Sequence, residues 1–389
     1  VAEGFAITIV GAGVVGCALA MELAGAGEEV LVLEMNHGVS RGENQSTRNS
    51  GVIHAGLYYD QRTRPLKASL CVAGNRMLYR FCERFGVPAL KTGKLVVATT
   101  GAEHAILETY ARRAVENNVP AILIHGDRVR EYEPRIKARA ALLLPTSGIV
   151  DAAALLHKLY ALASAAGARF VTETRVVGAK TRRDGIEVEV RYRDGARDRF
   201  LTGRLVNSAG LYCDEVARMV DPASPYHVDP LRGEAMKFYR TKRPELDVAV
   251  MNVYPTPTKT ITDRGVYFTV GVHLTPTLDL DGRGDPILGP VVTVGPLNRQ
   301  AAGKEDYGGE FRPSSEFHER VRGFFPGLEE EDLEPHQAGI QARLVGHADW
   351  VVELSPAESR CLNLLGIDSP GLTGALAIAR KAREMMLGA

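Results

Sequence analysis

The sequence predicts an α/β fold in which a doubly wound, parallel-sheet domain is interleaved with an α+β domain built on an antiparallel sheet. Three observations predict it. An apolar run at Phe5 to Val10, a glycine turn, a helical pattern from about Val14 to Ala26 and a second apolar run at Val30 to Leu33 open the chain. Such β-α-β units build parallel sheets. Between about Pro225 and Pro335 the chain is rich in Pro, Thr and strand formers, which suggests an antiparallel sheet. α/β character then returns, with a strand at Cys361 to Leu365, a turn at Ser369-Pro370-Gly371 and a helix from Leu372 onward.

The elements between follow the same logic. A helix with Pro65 in its first turn carries Leu66, Leu70, Met77, Leu78, Phe81 and Phe85 on one face. Asp151 reads as the N-cap of a helix bearing Leu155, Leu156, Leu159 and Leu162, with Gly167 as its stop. Strands are expected at Phe170 to Val177, at Ile186 to Tyr192 and, after a turn at Asp194-Gly195, towards Phe200. Leu205-Val206-Asn207 ends in Ser208-Ala209-Gly210. A chain of 389 residues exceeds what one core organises, so two domains are expected. The first is assigned 1–88, 146–222 and 336–389; the second, the substrate domain, 89–145 and 223–335.

Composition narrows the function. Lys+Arg and Asp+Glu both number 47, so no overall charge draws nucleic acid or an anionic membrane. Five scattered cysteines form no Cys-x-x-Cys pair, which disfavours zinc or a dithiol centre and fits reduced thiols in a cytoplasm. No metal site, signal peptide or membrane span is expected: the most apolar stretch, Ala152 to Val171, carries His157, Lys158 and Arg169.

Gly11-Ala12-Gly13-Val14-Val15-Gly16 sits between the first strand and the first helix. Gly11 permits the tight turn, Gly13 lets a pyrophosphate approach the backbone, and Gly16 lets helix and strand pack closely. The helix N-terminus presents free N–H groups to the phosphates. Glu34 ends the second strand at about the 20-residue offset where an acid bonds a ribose hydroxyl, and it would repel a 2′-phosphate. This predicts a Rossmann-like dinucleotide site and leaves FAD and NAD open. With no second glycine fingerprint downstream, a separate nicotinamide domain is not expected. The loop Ser46-Thr47-Arg48-Asn49-Ser50-Gly51-Val52-Ile53-His54-Ala55-Gly56 is polar and lacks bulk. It suits the lining of a flat isoalloxazine; the alternative is a surface loop.

The fingerprint, the run Asn49 to Tyr59, Leu66-Lys67-Ala68 and Gly93-Lys94-Leu95 resemble L-2-hydroxyglutarate dehydrogenases and oxidases, within the D-amino-acid oxidase and glycine oxidase superfamily. So do Arg232-Gly233-Glu234, Gly271 to Pro276, Leu288-Gly289-Pro290 and Gly366 to Thr373, so the resemblance spans nearly the whole chain. It implies FAD, with the fingerprint and Glu34 holding the ADP half. Thr47, Arg48, Asn49, Ser50, Gly51 and Val52 would lie against the flavin, Val176 would meet the adenine, and Ser208, Ala209 and Gly210 would close over the diphosphate. Gly371, Leu372 and Thr373 open a helix whose positive end would stabilise reduced flavin.

The expected reaction moves a hydride from the Cα of an L-2-hydroxy acid to flavin N5 and yields a 2-keto acid. An alcohol proton must leave, and a neutral imidazole can take it. His54 is therefore the candidate base; a packing role and covalent flavin attachment are its other two readings. Arg343 is the candidate anchor for the substrate carboxylate. Here the chain departs from its relatives, with Gln341 where they commonly place arginine and Arg343 two positions on. On a strand both residues share a face. Tyr58, Tyr59, Tyr267 and His273 are candidate pocket walls, and Lys259 and Arg62 candidate partners for a second carboxylate. The rival readings are a glycine or D-amino-acid oxidase and a non-catalytic FAD-binding module. The electron acceptor, whether oxygen, quinone or carrier protein, is encoded in no motif.

Overall fold

The computed structural model describes residues 4–248, 250–262 and 265–388, with only the backbone of 258–262 and 265–269. It contains two large sheets, a three-stranded sheet that joins them and a two-stranded hairpin of Thr258–Thr262 and Gly265–Thr269. In the first sheet the parallel order is Arg169–Val171, Val30–Leu33, Phe5–Val10, Arg197–Asn207. The long strand Arg197–Asn207 is shared. Along one edge it pairs antiparallel with Gly185–Tyr192 at 197–202 and parallel with Glu358–Leu365 at 205–207. A hairpin and the C-terminal strand are thereby joined to the opening β-α-β unit.

Two strand expectations change. The run from Phe170 to Val177 is two strands, Arg169–Val171 and Thr174–Arg182, because Glu173 adopts a left-handed φ of 54° and turns the chain. The strand expected near Phe200 and that at Leu205 are one. The first helix runs Val14–Ala24, a little shorter than its pattern.

Four helices cover this sheet: Val14–Ala24, Pro65–Phe85, Ala152–Ala165 and Gly371–Leu387. Ile9, Leu19, Leu23, Leu156, Leu159, Ile378 and Ala382 are fully buried between them, each large apolar side chain contributing about 1.5–3 kcal/mol by leaving water. Pro65–Phe85 and Gly371–Leu387 cross so closely that a Cβ on Gly74 would meet the Thr373 carbonyl oxygen at 2.3 Å. Only glycine admits that approach, and it brings the final helix onto the His54 segment. Asp151 caps its helix as expected, accepting from the N–H groups of Ala153 and Ala154 at 2.9 Å.

The second sheet has the order Glu334–Leu344, Val228–Tyr239, Pro286–Gln300, His273–Leu280, Asn252–Pro255, Lys94–Ala98, Ala140–Leu144, Ile122–His125. It is antiparallel except where Asn252–Pro255 runs parallel to Lys94–Ala98. Glu334–Leu344, which spans the expected domain boundary at 336, pairs with Val228–Tyr239 along its length. Val52–Ile53, Gly148–Val150 and Ala89–Leu90 form the small connecting sheet. Among the described residues no helix is long and apolar enough to cross a membrane.

Candidate active site

Two cavities, of about 490 and 400 Å³, share Gly13, Gln45, Ser46, Arg48, Ser208, Gly210 and Leu211 and so form one channel. The larger is lined by the backbone of the glycine turn. Gly11 has φ +99°, and a Cβ there would meet the Ser208 carbonyl oxygen at 2.6 Å. A Cβ on Gly16 would meet the Gly11 carbonyl oxygen at 2.0 Å. Val14 and Val15 are buried at the start of the helix, and the Val14 N–H donates to Ser46 Oγ at 2.8 Å. One amide of the first helical turn is thus already occupied. Glu34 is buried, with Oε2 accepting from Ala12 N–H at 2.7 Å and Oε1 from Asn36 N–H at 3.0 Å. Burial pushes its carboxyl upward, against the pull of these amides. Both oxygens keep lone pairs for a further donor.

Val176, Ser208, Ala209 and Gly210 line the same groove. Ser208 Oγ donates to Val10 and Gly11 carbonyls at 2.9 and 3.2 Å, which ties two strand ends together.

The loop after the groove divides in two. Ser46, Arg48, Asn49, Ser50 and Val52 line the smaller cavity. Thr47 is instead turned onto Asn44, donating to its carbonyl at 3.1 Å. Gly51 packs on Val150, where a Cβ would meet the carbonyl oxygen at 2.3 Å. Asn49 Nδ2 donates to Ser46 O at 2.7 Å while its Oδ1 accepts from Gly51 N–H at 2.9 Å, so the loop is held by its own side chain.

Gly371 and Leu372 line this cavity at the N-terminus of the last helix. Thr373 is one residue further and buried. Its Oγ1 accepts from His54 N–H at 3.0 Å and donates to Val52 O at 3.3 Å, which locks the two segments together rather than facing the cavity.

His54 lines the cavity, half-buried, with Nε2 3.4 Å from Ser369 Oγ. Its carbonyl accepts from Asn75 Nδ2 at 2.9 Å, so backbone on both sides of the ring is held. Burial first, then the Lys94 ammonium and His273, hold its imidazole well below the usual histidine range. The ring is neutral at physiological pH.

Arg343 and Gln341 share the cavity face of Glu334–Leu344 with Gln337 and Gly339. Arg343 Nε lies 3.8 Å from Asp368 Oδ2, with the side chain 30% exposed. The same carboxylate takes Lys67 Nζ at 2.8 Å and Trp350 Nε1 at 3.2 Å. Tyr59 is buried in the cavity wall beneath the Arg64 guanidinium, 5.6 Å from its ring centroid. His273 also lines the wall, stacked on Tyr254. Arg62 does not take part: its side chain is 88% exposed and paired with Asp60. Tyr267 and Lys259 carry side chains outside the described residues.

Sequence reasoning assigned no role to Gln45, Lys67, Lys94, Tyr254 or Asp368. Gln45 bridges the domains, accepting from Ile340 N–H at 2.6 Å and donating to the Tyr307 hydroxyl. Lys67, Lys94 and Asp368 fall in runs that carry the family resemblance, but their roles do not show locally, since each of these residues acquires its partner from a distant segment. Among the described residues no cluster of three His, Cys, Asp or Glu side chains is arranged to hold a metal.

A profile of FAD dependent oxidoreductases matches residues 6–385. The chain belongs to that family. FAD is its cofactor, and the channel fits it: a glycine-walled groove with a buried carboxylate continues into a chamber bounded by a helix N-terminus. L-2-hydroxyglutarate dehydrogenase of Arabidopsis thaliana, mitochondrial, is 31% identical, over 97% of this chain and 83% of its own length. The enzyme of the same name from Indibacter alkaliphilus is 27% identical, over 98% and 99%. Among solved structures, dithionite-reduced L-α-glycerophosphate oxidase of Mycoplasma pneumoniae with FAD bound aligns with a TM-score of 0.85 at 23% identity, covering 99% of this chain and 95% of that one. Glycine oxidase of Geobacillus kaustophilus aligns with a TM-score of 0.77 at 18% identity, covering 99% and 95%. These structures establish the fold of this flavoprotein.

Proposed function

We propose that the protein oxidises a small L-2-hydroxy acid of the L-2-hydroxyglutarate type to the 2-keto acid. The observation that carries the reading is His54: a neutral imidazole at the wall of a chamber that also holds Arg343. Relatives named L-2-hydroxyglutarate dehydrogenase match it over most of both chains. Bound FAD supplies a two-electron acceptor for the hydride lost from Cα. The Arg343 guanidinium binds the substrate carboxylate, and Asp368 orients it from 3.8 Å. Gln341 adds a neutral donor on the same face. Tyr59 forms a wall that keeps water out. The hydroxyl proton passes to His54 Nε2, while Ser369 Oγ and the backbone bonds to Thr373 and Asn75 hold the ring in place.

The cradle residues Gly11, Gly13, Val14, Val15, Gly16, Glu34, Val176, Ser208, Ala209 and Gly210 hold the ADP half. Arg48, Asn49, Ser50, Val52, Gly371 and Leu372 would hold the flavin half, and the helix end would supply positive potential for the charge that reduced flavin carries. Thr47, Gly51 and Thr373 act as supports behind them. We divide the chain as 1–88, 146–222 and 345–389 for FAD, with the second sheet, including 334–344, for the substrate. The five free, buried cysteines fit a reducing cytoplasm.

Anaerobic mixing tests the reading. L-2-hydroxyglutarate is expected to bleach the yellow holoenzyme, and glycine and D-amino acids to leave it yellow. The reverse pattern makes it an amine oxidase, and bleaching by neither a non-catalytic FAD module. Mass spectrometry of the denatured protein checks that FAD leaves His54 free.

A further inference from the structure

Three long cationic side chains are buried among the described residues, and two have carboxylate partners. Lys67 meets Asp368 at 2.8 Å, and Arg232 meets Glu234 at 2.8 Å and Asp306 at 3.1 Å. Lys94, 1% exposed, has no carboxylate partner among the described residues. Taking a charge out of water without pairing it is costly, so such a group calls for a reason.

Its surroundings supply one. Lys94 Nζ lies 3.7 Å from the Tyr254 ring centroid and 5.7 Å from that of Tyr58. Tyr254 stacks on His273 with centroids 3.6 Å apart and planes at 14°. The Tyr58 hydroxyl is buried and has no hydrogen-bond partner among the described residues. Tyr58, Tyr110, Tyr254 and His273 line the chamber that holds His54. The ring contacts attract the ammonium, but a π face fills none of its three N–H donors as an anion does. A cation without a carboxylate partner among the described residues thus lies directly behind the chamber wall, against the lining rings of Tyr254 and Tyr58, and the Tyr58 hydroxyl beside it is unpaired. Buried polar groups left open in this way mark a place for a ligand.

We propose that Lys94 and the Tyr58 hydroxyl form the anion subsite that holds the second carboxylate of the dicarboxylic substrate and so set the preference for it over a monocarboxylic 2-hydroxy acid. The assignment rests on the reading above, in which Arg343 holds the first carboxylate. Lys67 is unsuited to the task because Asp368 already neutralises it. The titratable groups around Lys94 are Cys71 on the helix Pro65–Phe85, His54, Tyr58, Tyr254 and His273. Burial pushes the ammonium down to about 7. A carboxylate arriving beside it would restore the charge.

The test uses holoenzyme and two inert probes that differ only in the second carboxylate, glutarate and butyrate, followed through the flavin absorbance. Wild type is expected to bind glutarate at least about tenfold more tightly than butyrate. Lys94→Met is expected to abolish that preference with butyrate affinity unchanged, and Tyr58→Phe to lessen it about threefold or more. In wild type the preference fades as pH rises through 7, and in Lys94→Met it shows no such fade. A wild type without preference overturns the subsite. So does a preference intact in Lys94→Met, or in Tyr58→Phe should the lysine variant not fold. Lys94-dependent glutarate binding in an enzyme that no 2-hydroxy acid bleaches leaves the subsite standing and removes the hydroxy-acid reading.

Discussion

The dinucleotide cradle and the substrate chamber adjoin, sharing Gly13, Ser46 and Arg48, but they are made of different material. The cradle is chiefly backbone: a tight turn at Gly11, a close crossing at Gly16 and a carboxylate, Glu34, gripped by two amides. Its parts lie within one β-α-β unit and its first neighbours. The chamber is made of side chains drawn from separate segments, namely His54, Lys67, Tyr254, Arg343 and Asp368, with Lys94 packed behind Tyr254. Its chemistry depends on how charges there are paired. A backbone site tolerates almost no added atoms, whereas a side-chain site is retuned by one substitution.

Substitutions can break or sharpen that contrast. The largest effect belongs to His54→Ala, expected to cut the rate of flavin reduction about 10²–10⁴-fold while FAD stays bound. Rapid mixing with L-2-hydroxyglutarate measures the rate, and an unchanged one removes His54 as the base. Arg343→Met comes next, with KM raised about ten- to a hundredfold and kcat little altered; an unaltered KM frees Arg343 from the substrate.

On the cradle side, Gly16→Ala drives a methyl to within 2.0 Å of the Gly11 carbonyl oxygen. About 1–3 kcal/mol of stability is expected to go, with FAD lost from the purified protein, as read by thermal melting and flavin content. Asp349→Asn is smaller. Asp349 accepts from the N–H groups of Leu66 and Lys67 at 2.7 and 2.9 Å, so about 1 kcal/mol is expected from the weakened start of that helix. Smallest is the response to acid. Because His54 is held well below its usual range, it stays an unprotonated base as pH falls from 8 to 6. The rate of flavin reduction at saturating substrate is expected to stay flat there. A fall centred near about 6.5 would signal an ordinary, exposed histidine.

The same division explains what reading along the chain reached. Gly11, Gly13, Gly16 and Glu34 announce themselves by spacing, because a local turn and a strand end place them. Arg343 and Gln341 were readable as a pair, since strand alternation puts both on one face whatever that face meets. Thr47, Gly51 and Thr373 stand behind the lining rather than in it. Each sits within a residue or two of a lining position, and packing against Asn44, Val150 or His54 turned it away. The chain likewise carries no mark of which sheet Glu334–Leu344 joins, since that depends on an edge of Val228–Tyr239 brought from a distant segment.

Periodicity, glycine spacing and the polar loop before His54 were enough to specify the α/β class, the nucleotide groove and a histidine in the adjoining chamber, because those features are set by neighbours within a few tens of residues. Folding alone decided which charges are cancelled and which remain. Asp368 neutralises Lys67 across 301 positions, while Lys94 has no acid beside it among the described residues. Electrostatic pairing falls off with distance in space, not along the chain, so no pattern of letters could have distinguished the two lysines.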